Sequence, residues 1–173
     1  MEFCSEGLIL GIDLGGSKIM SAVATTEGRI LARHRRPTPS QQGPDAVIQE
    51  IFEAARCTLK DAGITAAQLG GVGIGAPGTS NPDTGVIYTS PNLPGWRDVP
   101  LKDIVEREFG VRTVLGNDAN AAALGEFCFG GGRGVRNLIY VTISTGIGGG
   151  IILDGKLYTG ASGAAGEVGH MTI

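Results

Sequence analysis

Cysteine, aromatic residues and positive charge are all scarce in this chain, and each shortage removes a class of protein. Among 173 residues there are 3 cysteines, Cys4, Cys57 and Cys128, too scattered for a disulfide framework or a C-x-x-C metal site. That usage fits a reduced, cytoplasmic compartment. The net charge of −3 and a pI near 5.4 argue against nucleic acid as a partner. The one basic run, RHRR at 33–36, is short and reads as a solvated strand end. No apolar run approaches the roughly 20 residues of a membrane span, and the N-terminus lacks a signal peptide's basic and apolar regions. Aromatic side chains are only 5% of the chain, within an otherwise ordinary soluble composition of 42% hydrophobic and 18% charged residues.

Glycine is abundant. Thirty glycines stand far above the usual share of roughly 7%. They do not recur every third residue, which excludes collagen; they cluster at strand ends, as tight turns and close backbone approach to a ligand require.

The opening, LILGIDLGGSKIMSAVATTEGRILARHRR, reads as strands joined by tight turns, with LILGIDL apolar enough to be central in a sheet. Gly43-Pro44 starts a helix whose apolar face is Val47, Ile48, Ile51, Phe52, Ala55 and Leu59, and Gly63 stops it. GGVGIGAPG follows as a strand with a glycine corner. GVIYTSPNLPGW is a short strand and a proline-stiffened loop, PLKDIVEREFG a helix, VRTVLG a strand and ANAAALGEF a further helix. Then NLIYVTISTGIGGGIILDGKLYTG repeats the opening meander, glycine-rich first turn included, as an internal duplication. The fold class expected is α/β: a mixed sheet with flanking helices running into the start of a second copy. No helix follows to cover that copy, so its sheet is expected to be partly bare. The chain accordingly reads as a piece of a longer two-domain protein.

The first turn, DLGGSK at 13–18, offers a nest of backbone N–H groups for an oxyanion, or is an ordinary hairpin turn; it fits neither G-x-x-x-x-G-K-[ST] nor G-x-G-x-x-G. STGIGGG at 144–150 is the same device at the matching place, which favours phosphates held between two lobes. Asp13, beside the first turn, is then placed for magnesium, directly or through water. Asp118 lies between a strand and a helix. It can cap the helix, worth about 1 kcal/mol. It can also accept the proton of a sugar hydroxyl attacking a γ-phosphate, since a helix N-terminus favours the anion. Position alone leaves both open. GEVGHM at 166–171 tips the reading to chemistry, because Glu167 and His170 can bind vicinal hydroxyls of one sugar.

Taken together and in this order, IDLGGSKI, SPNLPGW, GNDANAAALGE, STGIGGGII and GEVGH resemble the ROK family of sugar kinases and repressors, its bacterial glucokinases above all. The resemblance implies an actin-like ATPase, or ribonuclease H-like, duplicated fold. Residues 1–133 would be the N-terminal sugar-kinase lobe, and 134–173 the start of an incomplete nucleotide-side lobe. It implies Asp118 as catalytic base, with Asn117, Glu167, His170, Gly78, Ser90 and Asn92 around the hexose. Gly15, Gly16, Ser17 and Lys18 match one phosphate segment, and Thr145 and Gly146 the other. In the family the histidine of GEVGH also binds a structural zinc with cysteines of a later C-x-C-G-x-x-G-C segment; this sequence ends before it, and none of its own cysteines matches. The activity implied is ATP- and Mg2+-dependent phosphorylation of a hexose at the 6-hydroxyl, a transferase of carbohydrate metabolism and glycolysis, in a homodimer. Glucose leads mannose, fructose and N-acetylated amino sugars, and polyphosphate is the alternative donor. A sugar-responsive regulator would need a DNA-binding segment ahead of the first strand, where only MEFCSEG stands; a non-catalytic sugar-binding module is the other alternative.

Overall fold

In the computed structural model, which describes residues 7–143, 146–161 and 163–171, the chain divides into two compact units, Met1–Asn117 and Asp118–Ile173. The first unit carries β1 (Leu8–Leu14), β2 (Lys18–Thr25), β3 (Ile30–Pro37), α1 (Pro44–Asp61), β4 (Leu69–Ala76), β5 (Thr79–Asn81), β6 (Val86–Thr89), β7 (Arg97–Val99), α2 (Leu101–Phe109) and β8 (Thr113–Asn117). Its main sheet has the order β3-β2-β1-β4-β8. The meander β1–β2–β3 is antiparallel, whereas β4 and β8 run parallel to β1, each reached through a helix.

Side chains alternate between the faces of a strand, and this fixes where the core sits. Leu10, Ile12 and Leu14 of β1 and Val72, Ile74 and Ala76 of β4 are buried in the same cluster as Val47, Ile48, Ile51, Phe52, Ala55 and Leu59, the α1 face expected from spacing. Helix α1 ends at Asp61, with Gly63 just beyond at φ +70. Phe52 and Phe109 meet edge to face at 5.9 Å between ring centres, joining α1 to α2. The opposite face is thin, since a Cβ at Gly73 or Gly116 would meet nothing within 4 Å.

Two features depart from expectation. The strand expected in GVIYTSPNLPGW is β6, but it forms a small sheet β5-β6-β7 with two strands of 3 residues each, too short to leave an alternating pattern. The RHRR run closes β3 as expected, but it is not wholly solvated: Arg36 Nε donates to Glu50 of α1, and His34 Nδ1 stands 3.7 Å from the Asp61 carboxylate. The run is partly neutralised by the helix packed on it.

The second unit holds α3 (Asp118–Phe129), then β9 (Leu138–Ile143), β10 (Ile147–Leu153) and β11 (Lys156–Tyr158) in an antiparallel sheet of order β11-β10-β9, and a single 3-10 turn at Val168–His170. The sequence boundary after residue 133 put α3 with the first lobe. In the structure α3 packs on β10, where a Cβ on Gly148 would come within 3.1 Å of the Ala119 Cβ and one on Gly150 within 2.5 Å of the Ala123 Cβ. The glycines of STGIGGG are thereby reassigned: Gly148, Gly149 and Gly150 lie in β10, paired with β9, and only Gly146 stands before it. The other face of this sheet is partly bare, as expected, with Ile139 70% and Ile143 79% exposed. Among the described residues no helix is long and apolar enough to cross a membrane.

Candidate functional site

In the first unit the candidate residues gather where the parallel strands end. Neighbouring β1, β4 and β8 are in register through Asp13, Gly75 and Gly116. From this edge emerge the glycine turn after β1, the Gly78 corner after β4 and Asn117 at the end of β8. Ligands of open α/β sheets bind outside the carboxyl ends of such strands. Asp13 is exposed, one residue before the end of β1.

Two close approaches tie the SPNLPGW loop to that edge. A Cβ on Gly16 would lie 2.7 Å from the Asn92 Cβ and 2.8 Å from its carbonyl oxygen, so the glycine turn and the Asn92 loop touch backbone to backbone. A Cβ on Gly78 would lie 2.2 Å from the Thr89 carbonyl and 2.8 Å from the Ser90 Cα, and Gly78 has φ +95, a conformation natural to glycine. The loop is anchored from below by Leu93 and Trp96, both in the core. That leaves Asn92 exposed, while Ser90 is buried and its hydroxyl has no hydrogen-bond partner among the described residues. A buried hydroxyl without a partner is costly, and a ligand or water at this corner would relieve it.

The turn itself is held by a residue no motif had marked. Gly15 N–H donates to the Lys18 carbonyl at 2.9 Å, closing the bend, and Thr38, just past β3, bonds to it from outside. Ser17 and Lys18 are exposed. Thr38 is invisible to sequence reasoning because nothing in PTPSQQG says which strand end lies opposite.

In the second unit Asp118 is the first residue of α3, half-buried, and its Oδ1 accepts the Ala119 N–H at 2.8 Å. One carboxylate oxygen therefore meets the next residue's amide at the helix start, which is not the bond to the second or third helical N–H that a cap makes. The GEVGH segment is pressed onto β10 by both its glycines. A Cβ on Gly166 would lie 2.7 Å from the Gly149 carbonyl, and one on Gly169 would lie 2.4 Å from the Ile147 carbonyl. The spacing G-x-x-G thus records two close backbone approaches, a signal present in the sequence but not read from it. Glu167, after the first glycine, and His170, after the second, are exposed, and the His170 Nδ1 is 3.4 Å from the Glu167 Oε2. A carboxylate and an imidazole side by side form an acceptor and donor set suited to adjacent hydroxyls. Gly146 is exposed; Thr145 lies outside the described residues.

The donor chemistry fits magnesium and not, on these residues alone, zinc. Magnesium takes one or two carboxylates and completes its shell with water and phosphate oxygens, a demand that an exposed Asp13 beside a glycine turn meets. Structural zinc wants four protein ligands. Among the described residues no group of three or more His, Cys, Asp or Glu side chains is placed to hold a metal ion, so zinc at His170 would need ligands from elsewhere.

Comparison with known proteins gives the family and the fold. The glucokinase of Streptomyces coelicolor is 45% identical over 96% of this chain and 50% of its own length. A xylose repressor of Caldicellulosiruptor bescii is 38% identical over 96% of this chain and 42% of its own. The crystal structure of a ROK family glucokinase from Streptomyces griseus, in complex with glucose and AMPPNP, superposes with a TM-score of 0.86 at 40% identity, covering 96% of this chain and 51% of that one. The chain spans about half the length of the glucokinases it matches. Its mixed α/β fold is that of the ROK sugar kinases, an actin-like ATPase fold. Residues 9–173 match the ROK family throughout, and the chain belongs to that family.

Proposed function

We propose that the full-length protein transfers the γ-phosphoryl group of ATP to the 6-hydroxyl of a hexose, glucose first, with Asp118 as general base. The observation that carries this is the gathering of Asp13, the glycine turn, Gly78, Asn92 and Asn117 at the carboxyl ends of β1, β4 and β8, with Asp118 next in the chain. Glucokinases among the relatives, and a neighbouring structure holding glucose and an ATP analogue, support the same substrates.

Each residue then has one task. The glycine turn of the first unit donates N–H groups to phosphate oxygens. Asn117, Asn92, Glu167 and His170 orient the hexose through its hydroxyls, with Gly78 and Ser90 shaping the corner. Asp118 takes the proton of the attacking 6-hydroxyl, a step that matters because phosphoryl transfer is catalysed mainly by positioning and charge. Gly146 and Thr145 give the second phosphate contact. Magnesium, held at Asp13 directly or through water, supplies charge neutralisation on the phosphates when bound. A structural zinc at His170 and a homodimer belong to the same proposal for the longer protein.

Steady-state phosphorylation of glucose by the full-length protein, wild type beside Asp118→Asn, tests the assignment. The expected result is a loss of kcat of about 10²- to 10⁴-fold, the usual worth of a general base, with glucose binding retained. Equal turnover refutes it. The repressors among the relatives favour a second reading, a sugar-responsive regulator; glucose binding without phosphate transfer would exclude the kinase, and sugar-dependent DNA binding by the full-length protein would then establish the regulator rather than a sugar-binding module.

A further inference from the structure

Thr38 makes two hydrogen bonds to the first glycine turn. Its hydroxyl donates to the Gly15 carbonyl at 2.7 Å, and its amide N–H donates to the Ser17 carbonyl at 3.1 Å. A trans peptide points its C=O and its N–H in opposite directions. With the Gly15 carbonyl turned onto Thr38, the N–H of the same peptide, that of Gly16, is turned away. The Gly15–Gly16 peptide lies between two residues without a Cβ, so it is the one in this turn that can rotate with least steric resistance. A turn built this way needs an outside constraint to keep its donor aimed.

We propose that Thr38 is a positioning residue for phosphate binding: by holding the Gly15 carbonyl it fixes the Gly15–Gly16 peptide with the Gly16 N–H available to an oxyanion of the phosphoryl donor. This rests on the reading above that the turn holds phosphate. It goes beyond that reading in assigning the aim of the turn to a residue outside it, at the end of β3.

Substitution at Gly16 itself is a poor test, because any Cβ there would push on Asn92. Thr38→Val keeps the branched shape and loses the hydroxyl; Thr38→Ser restores it. In the full-length protein Thr38→Val should lower kcat/KM for ATP about five- to tenfold, the effect of one lost hydrogen bond. Glucose affinity by calorimetry should stay within about twofold, and Thr38→Ser should recover most of the loss. Wild-type kcat/KM in Thr38→Val would overturn the proposal. So would an equal loss of glucose affinity, or failure of serine to rescue, since a merely structural role predicts both. If the wild type transfers no phosphate, the functional reading falls and Thr38 is judged separately, by the Gly16 amide NMR signal during titration with inorganic tripolyphosphate. A shift in wild type and Thr38→Ser, absent in Thr38→Val, supports it; no shift in wild type overturns it.

Discussion

The two meanders, β1–β2–β3 and β9–β10–β11, share strand order and a glycine-rich stretch of sequence after the first strand, but their glycines answer to different neighbours. In the first, Gly15 and Gly16 form the bend itself, held by Thr38 and seated against Asn92. The single glycine inside β1, Gly11, has room, since a Cβ there would stop 3.9 Å from the Ala22 carbonyl. In the second, the run Gly148–Gly149–Gly150 lies within β10, crowded by α3 on one face and by Gly166 on the other. Gly16 leaves room for the backbone of the Asn92 loop, whereas Gly148, Gly149 and Gly150 leave room for α3 and for the segment at Gly166. Likeness of motif between two halves of a duplicated fold is therefore weaker evidence of shared function than likeness of environment.

The sharpest way to break the comparison is through the cores. Ile12 in β1 is 3% exposed, while Ile139 in β9 is 70% exposed. Ile12→Ala should cost about 2–5 kcal/mol of stability, as buried isoleucine truncations do. Ile139→Ala should stay within about 0.5 kcal/mol, as surface changes do. Urea midpoints of the chain measure both. A comparable loss at Ile139 would show that its face of the second sheet is covered in solution, and the contrast between the meanders would collapse.

A smaller effect sharpens the glycine contrast. Gly150→Ala places a methyl 2.5 Å from the Ala123 Cβ, so α3 must shift, at about 1–3 kcal/mol for overpacking. Gly11→Ala meets nothing closer than 3.9 Å and should be within about 0.5 kcal/mol of wild type. Equal losses would mean that strand glycines in both halves are kept for backbone reasons rather than for room.

Much of this was legible in advance because it depends on short-range pattern. The α1 face from Val47 to Leu59, the stop near Gly63 and the two meanders follow from periodicity and turn residues. The packing of α3 on β10 has no such pattern behind it, because an alanine-rich helix carries little amphipathic signal, and Ala119 and Ala123 find β10 only through tertiary contact. The candidate site divides the same way. Asp118, Asn117 and the glycine turn are marked by punctuation at strand ends. Thr38, the Gly16–Asn92 contact and the seating of Gly166 and Gly169 on β10 are long-range facts with no local signature.

The smallest effect concerns the second turns of the two meanders. In the β2–β3 turn the neighbouring hydroxyls of Thr25 and Thr26 keep the Glu27 pKa below the ordinary value of 4.5; of the two, Thr26 donates to the carboxylate, at 2.8 Å, while the Thr25 hydroxyl makes no hydrogen bond among the described residues. In the β10–β11 turn Asp154 instead pairs with Arg136 at 3.0 Å, an arrangement dominated by charge. A carboxyl group whose pKa is lower in the folded state than in the unfolded one stabilises the fold above its unfolded pKa. That contribution is lost as pH falls through the folded value. Glu27→Gln should therefore be slightly less stable than wild type at pH 6, and the difference should vanish toward pH 3. Because Glu27 is exposed its contribution is held by hydroxyls rather than by unscreened charge, so 0.5 M salt should leave the difference nearly unchanged. Disruption of Asp154 should instead matter less in salt. Urea midpoints at the two pH values, with and without salt, measure this; a Glu27 effect that grows on acidification would reverse the sign and refute the assignment.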